Sequence, residues 1–175
     1  MNLNKTKING AFFIQHQSFE DERGLFYELI EKDILNDVSS PLIDKVNISE
    51  SKYGVLRGLH YQVQQPLVKF ISCLKGHVID FAVDIRQDSE SFGQVIQYDL
   101  REEKAETLYL PKGIAHGFIS LTKTSILLYL VSGIYNKDLE RGVNYKSLNL
   151  DLPIEPTLIN SRDDNWPNFD QAEYY

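Results

Sequence analysis

The rhythm of turns restricts this fold more than any other feature. Between Lys45 and Tyr135 short apolar segments are cut at close, regular spacing by Lys75-Gly76, Gln87-Asp88-Ser89, Arg101-Glu102-Glu103-Lys104 and Pro111-Lys112-Gly113. The segments between them have the length of strands, and ten Tyr and nine Phe suit β structure. Ile79 to Arg86 alternates most cleanly: Ile79, Phe81, Val83 and Ile85 face one way, Asp80, Ala82, Asp84 and Arg86 the other. Strands are expected at 44–49, 54–62, 67–74, 77–86, 93–100, 106–110, 117–121, 125–135 and 141–145. Upstream, residues 8–19 are strand-like, Asp21 to Gly24 is a turn, and 25–29 is extended again. Glu31 to Val38 reads as a short helix with Ile34, Leu35 and Val38 on one side, ended by Pro41. Residues 151–175, with Pro153, Pro156 and Pro167, read as irregular. The sum is an all-β sandwich or barrel, and 175 residues suffice for one domain, 1–175.

Charge and cysteine usage narrow the class. A net charge of −7 and a pI of about 5.1 argue against a general nucleic-acid binder, while leaving room for a local basic pocket. Cys73 is the one cysteine, so no intrachain disulfide forms and a reducing compartment is the natural home. The start, Met1 to Lys7, lacks the apolar run of a signal peptide. Ile126 to Val131, the longest apolar run, is too short to span a bilayer. A cytoplasmic protein with no membrane or nucleic-acid partner is expected.

Gly54 to Gln62 is the stretch with the most chemistry. Counted in steps of two, Val55, Arg57, Leu59 and Tyr61 share one face and Leu56, Gly58, His60 and Gln62 the other. Both faces mix apolar and polar groups, as on a strand that lines a wet cavity. Taken alone, Arg57 reads equally as a surface charge and His60 as a satisfied histidine. Metal chemistry finds little support: Pro111 to His116 resembles a cupin histidine motif, but Tyr61-Gln62 follows His60 in place of a second histidine. His16 and His77 lack motif context and read as ordinary residues. Cys73, in Phe70 to Leu74, reads as a buried structural thiol. General acid–base work remains, with His as the base and Asp84 or Asp163 as the carboxylate that orients it. Lys69 between apolar neighbours could stabilise an oxyanion or simply snorkel at an edge. Tyr129 could supply a proton or be a core aromatic. Asp138 to Arg141 reads as a solvated turn.

Asp21-Glu-Arg-Gly-Leu-Phe, Val46-Asn-Ile-Ser, Gly54-Val-Leu-Arg-Gly-Leu-His-Tyr-Gln, Val83-Asp-Ile-Arg, Ser91-Phe-Gly and Pro111-Lys-Gly-Ile-Ala-His-Gly-Phe come in a recognisable order and spacing. Together they resemble the dTDP-4-dehydrorhamnose 3,5-epimerase family, over about residues 8–169. The resemblance implies a cupin jelly-roll β-barrel (a double-stranded β-helix) with short peripheral helices, acting as a cofactor-free, metal-free homodimer. It implies inversion at C3 and C5 of a dTDP-4-keto-6-deoxyhexose. The alternatives are inversion at C3 alone, action on another nucleotide-linked keto sugar, or a barrel that binds such sugars without catalysis.

The family pattern, carried over residue by residue, implies His60 as base, Asp163 as its orienting carboxylate, Lys69 as enolate stabiliser and Tyr129 as proton donor. Arg23 and Arg57 match arginines that hold the nucleotide diphosphate, as bidentate guanidinium pairing suits. Phe26, Glu28, Asn47, His116, Glu140 and Arg162 match further substrate-binding positions. Lys45 stands where the family commonly has Gln, and Arg162 where it commonly has Lys.

Overall fold

The computed structural model describes residues 2–38 and 42–175. In chain order the strands are β1 (Asn2–Lys5), β2 (Phe12–Gln15), β3 (Ser18–Asp21), β4 (Gly24–Tyr27), β5 (Lys45–Lys52), β6 (Leu56–Gln62), β7 (Val68–Lys75), β8 (His77–Asp84), β9 (Val95–Arg101), β10 (Glu106–Leu110), β11 (Ile114–Ser120), β12 (Thr124–Ser132) and β13 (Glu140–Gly142). Helix α1 (Lys32–Asp37) precedes β5, and α2 (Ser161–Asp164) lies near the C-terminus. One sheet runs β1-β2-β10-β7-β12-β5 and the other β13-β6-β11-β8-β9, while β3 and β4 form a separate hairpin. Strands distant in sequence lie side by side, β10 beside β2 and β13 beside β6, as in a jelly roll. The all-β cupin barrel is the architecture.

The period of two assigns the layers. On β7, Ile71 and Cys73 join Val78, Ala82, Leu108 and Leu110 in the barrel interior. Val68 and Phe70 take the opposite face and pack with Ile14 and Tyr109 beneath Ile34 of α1 and Val38 just after it. The second sheet turns Phe81, Val83, Ile85 and Ile119 outward, where Leu148, Leu150, Leu152, Ile154 and Phe169 cover them. The proline-rich C-terminal segment is irregular, as expected, yet it closes a core. A fully buried side chain of this size contributes about 1.5–3 kcal/mol, so that cover stabilises the second sheet substantially.

The alternation read over Ile79 to Arg86 holds in the structure, and both faces prove to be buried. Asp80, Ala82 and Asp84 are as buried as Phe81 and Val83. β8 lies between β11 and β9 with both faces covered, so its polar face points into the barrel. The buried carboxylates keep partners: Asp80 meets His116, and Asp84 accepts from Arg86, Ser89 and Ser91.

Boundaries shift by a few residues elsewhere. The strand expected over 125–135 stops at Ser132, because Gly133 turns the chain at φ +105°. β1 was not anticipated. The helix falls within the expected span, and Pro41 lies outside the described residues. No described helix is long and apolar enough to cross a membrane.

Candidate active site

A cavity of about 300 Å³ lies between the sheets, with walls from β5 and β12 on one side and β6 and β11 on the other. His60, Lys69, Tyr129, Asp163, Asn47, Arg57, His116, Glu140 and Arg162 all line it.

Regular alternation would send Arg57 and His60 to opposite faces. The β6–β11 ladder avoids this with a register shift: His116 pairs with His60 and Phe118 with Arg57, so β6 carries one more residue than β11 in that interval. The extra residue resets the alternation, and both side chains reach the cavity. Gly58 sits at the irregularity with φ +110°. A Cβ there would lie 2.6 Å from both Gly117 Cα and the His116 carbonyl oxygen. Glycine is required by conformation and by space.

Asp163 reaches His60 from α2. The Asn160 side chain caps this turn, accepting from the Asp163 N–H at 2.7 Å. The Asp163 carboxylate lies 2.7 Å from His60 Nε2 and accepts from the Gly58 N–H at 3.1 Å. Burial opposes its charge, but the His60 ring and the Gly58 N–H outweigh that and hold the carboxyl below its usual range. An ionised acceptor puts the proton on Nε2 and leaves Nδ1 as the basic nitrogen.

Lys69 and Tyr129 stand on the other sheet. The Lys69 ammonium donates to the His60 carbonyl oxygen at 3.2 Å. Burial lowers it to about 8, against the pull of the Asp80 and Glu140 charges. Burial pushes the Tyr129 hydroxyl well up, which keeps it a proton donor. His60 and Tyr129 therefore face one cavity from opposite walls.

A second histidine–aspartate pair lies deeper. His116 Nε2 is 2.8 Å from Asp80 Oδ2, and the His116 ring meets Tyr129 edge-on at 5.9 Å. Burial pushes Asp80 up and His116 down, disfavouring charge on either. Around the cavity, Arg57 donates to the Ser51 hydroxyl and the Glu50 carbonyl, at 3.0 and 3.1 Å. Glu140 accepts from Arg162 at 2.5 Å and from the Tyr135 hydroxyl at 3.0 Å. Lys45 lies over the Tyr135 ring at 5.1 Å.

Arg23, Phe26 and Glu28 are not brought into this cavity. They belong to the β3–β4 hairpin and the residue just beyond it, all exposed, with Arg23 paired to Asp21. Asp84 does not orient a histidine; its carboxylate is taken up by Arg86 and two serines. Glu140, on β13, is a wall residue and not part of a merely solvated turn. His16 is fully buried, bonded to Thr107 and stacked on Tyr27. Cys73 is a buried free thiol. Among the described residues no three of His, Cys, Asp and Glu converge as a metal site would need.

Sequence reasoning missed Asp80, Tyr135 and Asn160. Asp80 had a signal, an acid alternating with Ala82 on a strand of a small barrel. Tyr135 and Asn160 had none, because their place depends on loops.

A family model described as dTDP-4-dehydrorhamnose 3,5-epimerase matches residues 5–171. An enzyme of that name from Shigella flexneri is 36% identical over 180 aligned residues, covering 100% of this chain and 99% of its own. The crystal structure of a dTDP-4-dehydrorhamnose 3,5-epimerase from Elizabethkingia anophelis superposes with a TM-score of 0.92 at 37% identity, covering 100% of this chain and 99% of that one. A dTDP-6-deoxy-D-glucose-3,5-epimerase from Legionella pneumophila, solved with dTDP-4-keto-L-rhamnose, gives 0.91 at 34% identity and covers 97% and 93%.

Proposed function

The chain belongs to the dTDP-4-dehydrorhamnose 3,5-epimerase family, and from that premise we propose that it inverts C3 and C5 of a dTDP-4-keto-6-deoxyhexose by proton transfer through an enolate, without a cofactor. The observation that carries this reading is the pairing of His60 with Asp163 on one wall and Tyr129 on the opposite wall.

The C–H bonds flanking the C4 ketone are acidic because the electrons they release pass into the carbonyl oxygen. His60 takes the proton from one face, and Asp163 stabilises the imidazolium that results. The Lys69 ammonium offsets the charge on the enolate oxygen. Tyr129 returns a proton to the other face; the His60 imidazolium then loses its proton to solvent, and the tyrosinate takes one back from solvent, which restores both groups. The cycle runs once at each carbon. Arg57 holds the diphosphate, and Asn47, His116, Glu140 and Arg162 make further substrate contacts.

Arg23, Phe26 and Glu28 fit this scheme through a second copy of the chain. Phe19 and Phe26 on the hairpin are 59% and 64% exposed, and Val46 and Ile48 on the outer side of edge strand β5 are 57% and 66% exposed. Apolar surface on that scale is the mark of an interface. A homodimer would cover it and bring the hairpin residues to the partner's cavity. Dimers should be seen by sedimentation, and Arg23→Ala should raise KM while leaving the dimer intact. A lone thiol and a nucleotide-sugar substrate suit an enzyme of the cytoplasm.

Incubation with dTDP-4-keto-6-deoxyglucose in heavy water, read by NMR, tests the activity. Deuterium at both C3 and C5 is expected. Label at C3 alone would make the protein a 3-epimerase. No exchange with any nucleotide-linked keto sugar would leave a binding protein.

A further inference from the structure

Trp166 is the only tryptophan in the chain, and it is absent from the lining of the cavity. It nevertheless touches two residues that line it. Its ring meets the His60 imidazole edge-on, with centroids 6.2 Å apart and planes at 73°. The Arg162 guanidinium carbon lies over the same indole at 5.7 Å. β13 makes room for the ring at Gly142, where a Cβ would collide with the indole.

The indole also breaks a rule. Its Nε1–H is buried and has no hydrogen-bond partner among the described residues. A buried donor left unpaired costs stability, and phenylalanine would avoid that cost. Local violations of this kind collect at functional sites, where geometry outweighs stability. The broad, electron-rich face of an indole is the best aromatic support for a guanidinium, and its rim gives an imidazole a fixed neighbour.

We propose that Trp166 is a positioning residue for the reaction: one rigid plate that sets the orientation of both the base, His60, and the cavity-lining Arg162. Asp163 fixes one nitrogen of the His60 ring, but a single hydrogen bond leaves the ring free to rock about it. The indole edge removes that freedom. The same plate backs the Arg162 guanidinium, which also donates to Glu140. Gly142 and Glu140 lie two residues apart on β13, so the strand that admits the plate also carries the acid opposite Arg162.

The inference rests on the epimerase reading, and the tests separate the two. Trp166→Leu should lower kcat for C3 and C5 exchange about tenfold and raise KM several-fold, with a shifted acid limb of the pH profile. Trp166→Phe should restore most of both, since a ring returns without the N–H. Gly142→Ala, which displaces the indole without deleting it, should move kcat and KM in the same direction as Trp166→Leu. Intrinsic fluorescence gives a readout free of turnover. The His60 ring packs against the indole and shapes its emission, so His60→Asn should change the emission intensity of the folded protein. If Trp166→Leu keeps the wild-type pH profile and KM, or loses activity only in proportion to its folded fraction, Trp166 is packing alone and the proposal fails. An emission intensity unchanged by His60→Asn would overturn it as well. Absence of exchange in the wild-type protein would instead sink the epimerase reading.

Discussion

His60 and His116 face each other across one rung of the β6–β11 ladder, and each holds an aspartate. The two pairs have the same atoms and nearly the same length, 2.7 and 2.8 Å. Their surroundings separate them. The His60 side chain keeps 25% of its surface exposed in the cavity, and its aspartate accepts a backbone N–H as well. That carboxyl stays ionised. The His116 pair is sealed, Asp80 Oδ1 lacks a partner among the described residues, and burial works against charge on both groups. A histidine–aspartate pair is therefore not a catalytic device by composition. Access to solvent and substrate, together with a second donor to the carboxylate, turns one of these pairs into a base and leaves the other as part of the wall.

The sharpest way to break this contrast is to disable each pair. His60→Ala should lower kcat for deuterium exchange about 10²–10⁴-fold while dTDP still binds by calorimetry. Asp163→Asn should fall in the same range, because an amide can hold the ring in the wrong tautomer. Survival of exchange in His60→Ala would mean that the base is another group.

Asp80→Asn should act differently. Asp80 lies near Lys69 and pulls its pKa upward. Lys69 must be charged to stabilise an enolate, so activity should fall as pH rises through about 8. Without Asp80 that alkaline limb should move to lower pH, with only a modest loss near neutrality. A limb that stays in place would remove Lys69 from the assignment.

His16 extends the series to a buried histidine with no carboxylate. Burial lowers it to about 4, and its Nδ1 has no partner among the described residues. Between pH 6.5 and 4 the unfolded chain binds a proton at this site and the folded chain does not, so stability falls as pH falls. The loss is on the order of 3 kcal/mol across that window. Denaturant melts of His16→Gln should show a shallower dependence of stability on pH, and slopes equal to wild type would rule the effect out.

Much of this architecture was legible without coordinates. Turn residues interrupt the chain at strand-length intervals, and alternation is a local property, so the nine strands from Lys45 onward and the all-β class followed. The alternation of β8 was legible, but not the burial of both its faces, because a single strand does not reveal how many sides its neighbours cover. The residues of the cavity wall were legible through ordered motifs, but not the reason that Arg57 and His60 serve one cavity.

The amino-acid sequence by itself determined the barrel class, the acid–base repertoire and the glycine at position 58, because these depend on residue type and spacing along the chain. Only the tertiary structure decided which aspartate meets which histidine. Asp163 lies 103 residues from His60 and Asp80 lies 36 from His116. Pairing over such distances is set by the crossing of strands between sheets, and no local pattern encodes it. The bulge opposite Gly117 likewise appears only when β11 is laid beside β6, since a register is a relation between two strands and not a property of either.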